Sequence, residues 1–112
     1  MQLVKALVSA HDELASWRQH LHQNPEIAYE EKDTSDFVAA KLESFGVEVY
    51  RGFGGTGLVG VIKGNLGDPE NGKAIGLRAD MDALPMSEET NLTYASQRPG
   101  RMHACGHDGH TT

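Results

Sequence analysis

The densest group of metal-ligand side chains in the sequence is the segment His103-Ala104-Cys105-Gly106-His107-Asp108-Gly109-His110. Thiolate and imidazole are the ligands that a borderline-soft divalent cation prefers. Cys105 and His107 are two residues apart, so an extended backbone would place both side chains on one face. Gly106 and Gly109 would let the main chain bend closely around an ion. The spacing alone leaves a metal site, a polar loop with solvated histidines and a Cys–His nucleophile pair all open.

A second candidate site is Arg78-Ala79-Asp80-Met81-Asp82-Ala83-Leu84-Pro85, which follows an apolar run. Asp80 and Asp82 come where a buried strand is expected to end, and sites in open α/β sheets gather at the carboxyl ends of strands. Two carboxylates there could bind a metal or orient a ligand histidine. They also fit turn and cap chemistry before Pro85, and the sequence does not choose between these interpretations.

Two further motifs favour structural roles. His20 and His22 lie near the end of a predicted helix, where histidine complements the negative end of the helix dipole. We therefore expect them to serve structure or to support a neighbouring ligand. The glycine-rich segment 52–57 lacks the Gly-Lys-Ser/Thr ending of a P-loop, which argues against phosphate binding.

Two amphipathic helices are predicted before these motifs. Asn24-Pro25 ends the first, which covers about twenty residues, and Gly46 ends the second. Caps for the second helix are expected between Asp33 and Asp36. The first helix is predicted from apolar residues at steps of three and four: Leu3, Leu7, Ala10, Leu14, Trp17 and Leu21. The buried side and edges of the second are predicted to be Thr34, Phe37, Val38, Lys41, Leu42 and Phe45.

Short apolar stretches after the second helix predict strands. Val47 and Val49 alternate, residues 58–62 form one apolar run, and residues 74–79 form another that is apolar enough for a central strand. A turn cluster between the two runs makes them expected neighbours. That cluster comprises Asn65, Gly67, Asp68, Pro69, Asn71 and Gly72. The sequence thus predicts an α/β fold with two helices followed by sheet strands.

Composition excludes several classes of partner. The chain has 112 residues, 38% of them hydrophobic, and a net charge of −6, which fits one small domain or part of a larger one. The absence of a basic stripe argues against nucleic acid and anionic membranes. No apolar stretch approaches the ~20 residues of a membrane span, and the apolar N-terminal run is too short for a signal peptide. The single cysteine, Cys105, fits a reducing compartment, so we expect a cytoplasmic protein.

Four motifs, taken in order, closely resemble those of the peptidase family M20 amidohydrolases. They are Arg18-x-x-Leu21-His22-x-x-Pro25-Glu26, Gly55-Thr56-Gly57, Leu77-Arg78-Ala79-Asp80-Met81-Asp82-Ala83-Leu84-Pro85 and Met102-His103-Ala104-Cys105-Gly106-His107-Asp108-Gly109-His110. The resemblance covers essentially the whole chain, and the last two motifs are highly specific. It is to the branch of hippurate hydrolases, N-acyl-amino-acid amidohydrolases and auxin–amino-acid conjugate hydrolases.

The resemblance implies a fold and a domain context. Family members hold a two-metal, zinc-peptidase-like catalytic domain of α/β/α type, with a smaller inserted domain that often mediates dimerisation. Residues 1–112 would be the N-terminal portion of that catalytic domain, with the inserted domain and the C-terminal half absent. The chain also stops directly after its densest polar cluster, whereas domain boundaries usually fall in linkers. We therefore expect a truncated chain.

The resemblance also implies roles for individual residues. Cys105 and His107 would be two of the metal ligands, and Asp82 would support the catalytic centre from beside a ligand. Supporting positions are expected at Asp80, His103, Asp108 and His110. The family's catalytic Glu, a neighbouring Glu ligand and two further His ligands would lie beyond Thr112. The implied cofactors are two divalent ions per full-length subunit, either zinc, manganese, cobalt or nickel, and no organic cofactor is expected.

The implied activity of the full-length parent is metal-dependent hydrolysis of the amide bond of N-acyl amino acids, such as hippurate-like or aminoacyl conjugates. Its partner would be a small-molecule N-acyl amino acid or peptide substrate, and the parent would be a homodimer or homotetramer. The 112 residues alone are expected to be inactive, because the general base is missing. One alternative is a small stand-alone metal-binding or interaction domain from a truncated reading frame. Another is an inactive remnant that folds only with a partner chain.

Overall fold

The computed structural model describes residues 4–65 and 72–112. Its helices and strands are α1 (Lys5–Ser9), α2 (His11–Gln23), α3 (Lys32–Ser44), β1 (Glu48–Phe53), β2 (Gly57–Val61) and α4 (His107–Thr111). The predicted order of helices followed by strands is confirmed. The predictions for Leu3 and for the turn residues Gly67, Asp68, Pro69 and Asn71 lie outside the described residues.

The predicted first helix is present as two helices, α1 and α2, that meet at Ala10. Ala10 has φ −89° and ψ 0°, yet helical hydrogen bonds reach it from both sides along the chain. Helix α2 ends at Gln23, directly before Asn24-Pro25, as predicted. Leu21 near this end is buried, whereas Leu7 in α1 is 59% exposed. The predicted apolar face is therefore packed only towards its C-terminal end.

Helix α3 takes its cap from a carboxylate outside the helix. Glu26, which is 3% exposed, accepts hydrogen bonds from the N–H groups of Asp33 and Thr34, at 3.1 and 2.6 Å, and from the Thr34 hydroxyl at 2.6 Å. These N–H groups are among those that a helix start leaves without an intrahelical partner. The predicted caps between Asp33 and Asp36 are therefore wrong. The predicted end at Gly46 is confirmed by its left-handed φ of 75°.

The buried face of α3 is more polar than predicted. Thr34 is buried as expected, and it is joined by Ser35 and Ala39. A guanidinium N–H of Arg51 donates to the Ser35 hydroxyl at 3.1 Å, which satisfies that buried group. Phe45 was expected on the buried side but is 61% exposed. Arg51 of β1 thus covers part of the α3 face that the apolar periodicity predicted to lie in the core.

Strands β1 and β2 form an antiparallel hairpin, in which Glu48 pairs with Val61 and Tyr50 with Val59. The connecting turn contains Gly54 and Gly55 at φ 59° and 96°, a left-handed conformation that glycine adopts without steric cost. The predicted pairing of residues 58–62 with 74–79 is therefore wrong. A short hairpin loop costs less chain entropy to close than a longer connection, which favours the pairing observed.

Residues 74–79 form no strand in the part of the chain that the structure describes. Ile75 and Leu77 are 90% and 97% exposed, so the predicted central strand is not present there. A strand that is apolar on both faces needs neighbours at both edges and cover on both sides. Within the described ranges, nothing supplies those neighbours.

Short main-chain bridges place the two candidate motifs side by side. Ala83 donates its N–H to Glu26 O at 2.7 Å, next to a parallel bridge between Ile27 and Ala83. Leu84 and Met102 exchange two N–H···O bonds of 2.9 and 3.0 Å. The segment that carries Asp80 and Asp82 is thereby fixed to the segment that leads into residues 103–110. Among the residues described, no helix is long and apolar enough to cross a bilayer.

Candidate metal centre

The segment that carries Cys105 and His107 bends sharply at Gly106. Gly106 has a left-handed φ of 88° and forms the N-cap of α4, which His107 begins. The extended backbone considered for Cys105 and His107 is therefore wrong, because the chain turns between them. Cys105 is free and exposed. Its thiol is therefore accessible to an ion or to solvent.

The imidazole of His107 is oriented by Asp82. Its Nδ1 lies 2.8 Å from Asp82 Oδ1 and 2.9 Å from the main-chain oxygen of the same residue. Both of these oxygens are acceptors, so Nδ1 is the donor and Nε2 is the ring nitrogen left to face a metal. Metal-binding histidines show this arrangement, in which a carboxylate fixes the tautomer and the direction of the ring. The structure thus brings Asp82 and His107 together in a geometry that suits metal ligation through Nε2.

Asp80 lies on the other side of the same imidazole. Its carboxylate oxygen is 3.8 Å from His107 Nε2, and it is paired with Arg78 at 2.5 Å. The Asp80 main-chain oxygen accepts a hydrogen bond from Thr111 Oγ1 at 2.9 Å. Helix α4 is therefore tied to the 80–82 segment at its first and its last residue. Asp80 and His107 share one open face of this junction.

Asp108 has a different environment from its neighbour His107. Its side chain is 1% exposed and contacts α2, with Oδ2 at 2.8 Å from His22 Nδ1 and 3.3 Å from Arg18 Nε. Its Oδ1 accepts the N–H of Gly109 at 2.9 Å. Asp108 therefore holds the ligand segment against α2. It does not share the open face with Asp80 and His107.

The two remaining histidines of the motif differ in burial. His103 is 5% exposed, and neither of its ring nitrogens has a hydrogen-bond partner within the described ranges. Burial lowers the pKa of His103, so the neutral imidazole is favoured. His110 is exposed, and its ring centroid lies 5.5 Å from that of His107. Only His110 therefore has open access to the side of α4 on which His107 lies.

The donor set fits a divalent metal but does not complete a site. A thiol, an imidazole Nε2 and a carboxylate suit a borderline-soft cation. Within residues 4–65 and 72–112, however, no group of three or more His, Cys, Asp or Glu side chains is arranged to hold a metal ion. This part of the chain therefore offers a partial set of ligands.

Sequence reasoning missed the ionic contacts behind the ligand segment. His22 Nε2 lies 3.0 Å from Glu88 Oε1, and both side chains are at most 5% exposed. Glu88 falls in a stretch without periodic pattern, and its partner is 66 positions away, so no local signal could have revealed the pair. The position of His22 agrees with the expectation that it serves structure or supports a neighbouring ligand.

The charges in this buried cluster reinforce one another. Burial opposes a charged His22, but hydrogen bonds to Glu88 and Asp108 outweigh it and raise the pKa of His22. Burial likewise opposes a charged Glu88, but the Thr90 hydroxyl, the Ser96 N–H and His22 lower the pKa of Glu88 to about 2. His22 is therefore favoured as a cation held between carboxylates.

Comparison with known proteins identifies relatives for the whole chain. The family described as Peptidase family M20/M25/M40 matches residues 76–112. A hippurate hydrolase from Campylobacter jejuni is 50% identical over 112 residues, which are 100% of this chain and 28% of that protein. An N-acyl-L-amino acid amidohydrolase from Geobacillus stearothermophilus is 43% identical over 100 residues, 88% of this chain and 26% of that one.

A solved structure supports the same relationship. The YXEP protein of Bacillus subtilis, described as a dinuclear metal-binding peptidase of the M20 family, matches with a TM-score of 0.83 and 40% identity. The match covers 92% of this chain and 28% of that structure. The expected α/β fold class of an M20 peptidase is thereby confirmed. The chain spans little more than a quarter of the length of these relatives and is similar to members of peptidase family M20 over that part.

Proposed function

We propose that the complete protein containing this sequence hydrolyses the amide bond of N-acyl amino acids with the help of divalent metal ions. The observation that carries this proposal is the Asp82–His107 contact, which leaves Nε2 of a family-motif histidine free for a metal. Relatives that are 43–50% identical carry the names of amide hydrolases. The substrate class is therefore a small acyl amino acid or a peptide.

Within this proposal, Cys105 and His107 hold metal and do not attack the substrate. A divalent cation bound there would supply Lewis-acid chemistry, which polarises a scissile carbonyl and lowers the pKa of a water. The Cys105 thiol would ligate as a thiolate, which a neighbouring cation promotes. Asp82 accepts a hydrogen bond from His107 Nδ1 and would thereby keep Nε2 directed at an ion. Asp80 adds negative charge beside that nitrogen.

We also propose the metal content, the oligomeric state and the cellular location of the complete protein. The ions would be two per subunit, as in the dinuclear relative, and zinc, manganese, cobalt and nickel all suit a Cys/His pair. We expect the complete protein to be a homodimer or homotetramer in the cytoplasm. The free thiol of Cys105 supports that location, because reducing compartments preserve such thiols.

The test is hydrolysis of N-benzoyl and N-acetyl amino acids by the complete protein, with each metal added after treatment with chelator. We expect activity that depends on metal and is lost in Cys105→Ala. His11→Ala is the control, because His11 is an exposed histidine on α2 whose ring pairs with Asp12. Activity that survives both chelation and Cys105→Ala would contradict the proposal.

The 112 residues by themselves are expected to hydrolyse none of these substrates. The described part brings together no group of three ligands, and a bridged two-metal site needs more. Turnover by the short chain, after rigorous removal of contaminating hydrolases, would show that this expectation is wrong.

A further inference from the structure

His22 connects α2 to the ligand segment through its two ring nitrogens. Nδ1 lies 2.8 Å from Asp108 Oδ2, and Nε2 lies 3.0 Å from Glu88 Oε1. Carboxylates only accept hydrogen bonds, so both ring nitrogens act as donors. The ring is 4% exposed. Its direction is therefore set by the two carboxylates and by the packing around it.

The groups that face this ring come from several segments. Arg18 on the same helix lies 3.3 Å from Asp108 Oδ2. The edge of the Tyr94 ring packs at a centroid distance of 5.6 Å, and the buried His103 ring lies at 6.4 Å. Glu88 is fixed in turn by the Ser96 N–H at 2.6 Å. One imidazolium thus joins α2, the 88–96 segment and α4 in a closed network.

Helix α4 is held from two opposite sides at consecutive residues. His107 is bound to Asp82, whereas Asp108 is bound to His22. Helix α4 has only five residues, too few to be stable through its own hydrogen bonds. Its orientation therefore depends on these side-chain contacts and on the hydrogen bond from Thr111 to the Asp80 main-chain oxygen. A shift of Asp108 would shift His107, because the two residues share a peptide bond.

We propose that His22 is a positioning residue for the metal site, and that its Nδ1 contact with Asp108 sets the direction in which His107 presents Nε2. This inference rests on the proposed function, since it assumes that His107 is a metal ligand. His22 touches neither metal nor substrate in this role. Its Nε2 contact with Glu88 serves the stability of the fold and leaves the ligand geometry unchanged.

Two substitutions of His22 by amide side chains distinguish the roles of its two ring nitrogens. The side-chain nitrogen of Asn corresponds to Nδ1 of histidine, and that of Gln corresponds to Nε2. His22→Asn can therefore still donate to Asp108, whereas His22→Gln can donate only to Glu88. Both variants remove one buried contact and the charge of the imidazolium, so each is the matched control of the other for general destabilisation.

The experiment measures the metal affinity of the complete protein by competition with a chelator. Absorption of the Co²⁺-loaded protein reports the Cys105 thiolate and the ligand geometry. We expect His22→Gln to lose about 10–100-fold in affinity, the usual effect of removing a partner that orients a ligand. We expect the Co²⁺ spectrum to change as well. His22→Asn is expected to keep an affinity and spectrum near those of the unsubstituted protein.

Equal affinities in the two variants would overturn the inference, whether both are lost or both retained. If His22→Gln does not fold, Asp108→Asn and Glu88→Gln provide the same comparison at the two carboxylates, and loss only at Asp108 is expected. Equal losses of metal affinity in Asp108→Asn and Glu88→Gln would also overturn the inference. A folded, unsubstituted protein that binds no metal would overturn both this inference and the proposed function, whereas normal metal binding with equal variants overturns the inference alone.

Discussion

The carboxylate of Glu26 caps helix α3 through Thr34, with its Oε1 at 2.6 Å from both the N–H and the hydroxyl of that residue. Arg98 approaches the other carboxylate oxygen at 3.4 Å. The main-chain oxygen of Glu26 meanwhile holds Ala83 at 2.7 Å. One residue therefore fixes both the start of a helix and the segment that leads from Asp82.

Glu26→Ala should lower the free energy of unfolding by about 1–3 kcal/mol, because it leaves buried donors without a partner. Urea denaturation of the complete protein measures this change. Glu30→Ala is the matched control, since Glu30 is exposed and pairs with Arg101 at the surface, where an ion pair contributes little. Equal effects of the two substitutions would contradict the role of Glu26 as a cap.

Stability should depend on pH through His22 and Glu88. The pKa of His22 is raised above 6.5, so its contribution is fully present below pH 6.5 and is lost as the pH rises through the raised value. The pKa of Glu88 is lowered from 4.5 to about 2, so its contribution is present above pH 4.5 and is lost as the pH falls towards about 2.

Denaturant midpoints measured across this pH range check both signs. His22→Asn should flatten the alkaline side of the profile, and Glu88→Gln the acidic side. Profiles that keep their shape in both variants would show that these groups do not couple folding to protonation.

Asp82→Ala should weaken metal binding by about 10–100-fold, because His107 loses the carboxylate that directs its ring. Asp82→Asn should be milder, since its amide oxygen can still accept a hydrogen bond from Nδ1. Asp12→Ala is the control, because Asp12 is an exposed carboxylate on α2. Chelator competition gives the three affinities, and an unchanged value for Asp82→Ala would exclude a supporting role.

Gly106→Ala should destabilise the turn before α4 by about 1–2 kcal/mol, because a side chain at φ 88° is strained. There is open space around this position, so the cost arises from the backbone alone. Gly64→Ala is the matched control, since it also has open space but no positive φ. Thermal unfolding of both variants measures the difference, and equal midpoints would argue against strain at Gly106.

Local patterns in the sequence predicted local structure well and long-range contacts poorly. The end of α2 before Pro25 and the end of α3 at Gly46 follow from backbone chemistry at single residues. The cap from Glu26 and the partners of His22 depend on side chains that meet only after the chain has folded. No periodic pattern in the sequence predicts such long-range contacts between side chains. The predicted strand pairing was wrong for a related reason, because an apolar run predicts a strand but does not specify which strand lies beside it.

In the candidate site, too, the sequence indicated individual residues but not their long-range contacts. The order of motifs led to the expectation that Cys105, His107 and Asp82 belong to one site, and the structure places Asp82 against His107. The structure places Asp108 on the opposite side of α4, against His22. Because His107 and Asp108 are adjacent in the sequence, the motif alone did not indicate that they would face different partners. Consecutive residues at a helix start point in different directions, so a dense motif need not form one cluster.

The polar character of the buried residues has a calorimetric consequence. In the part of the chain that the structure describes, seven polar or charged residues are buried, against three hydrophobic ones and Pro25. Exposure of polar surface lowers the heat capacity of unfolding, whereas exposure of apolar surface raises it. This region should therefore add little to the heat capacity change of the complete protein. The contacts behind the ligand segment should consequently keep their strength on cooling, where apolar packing weakens.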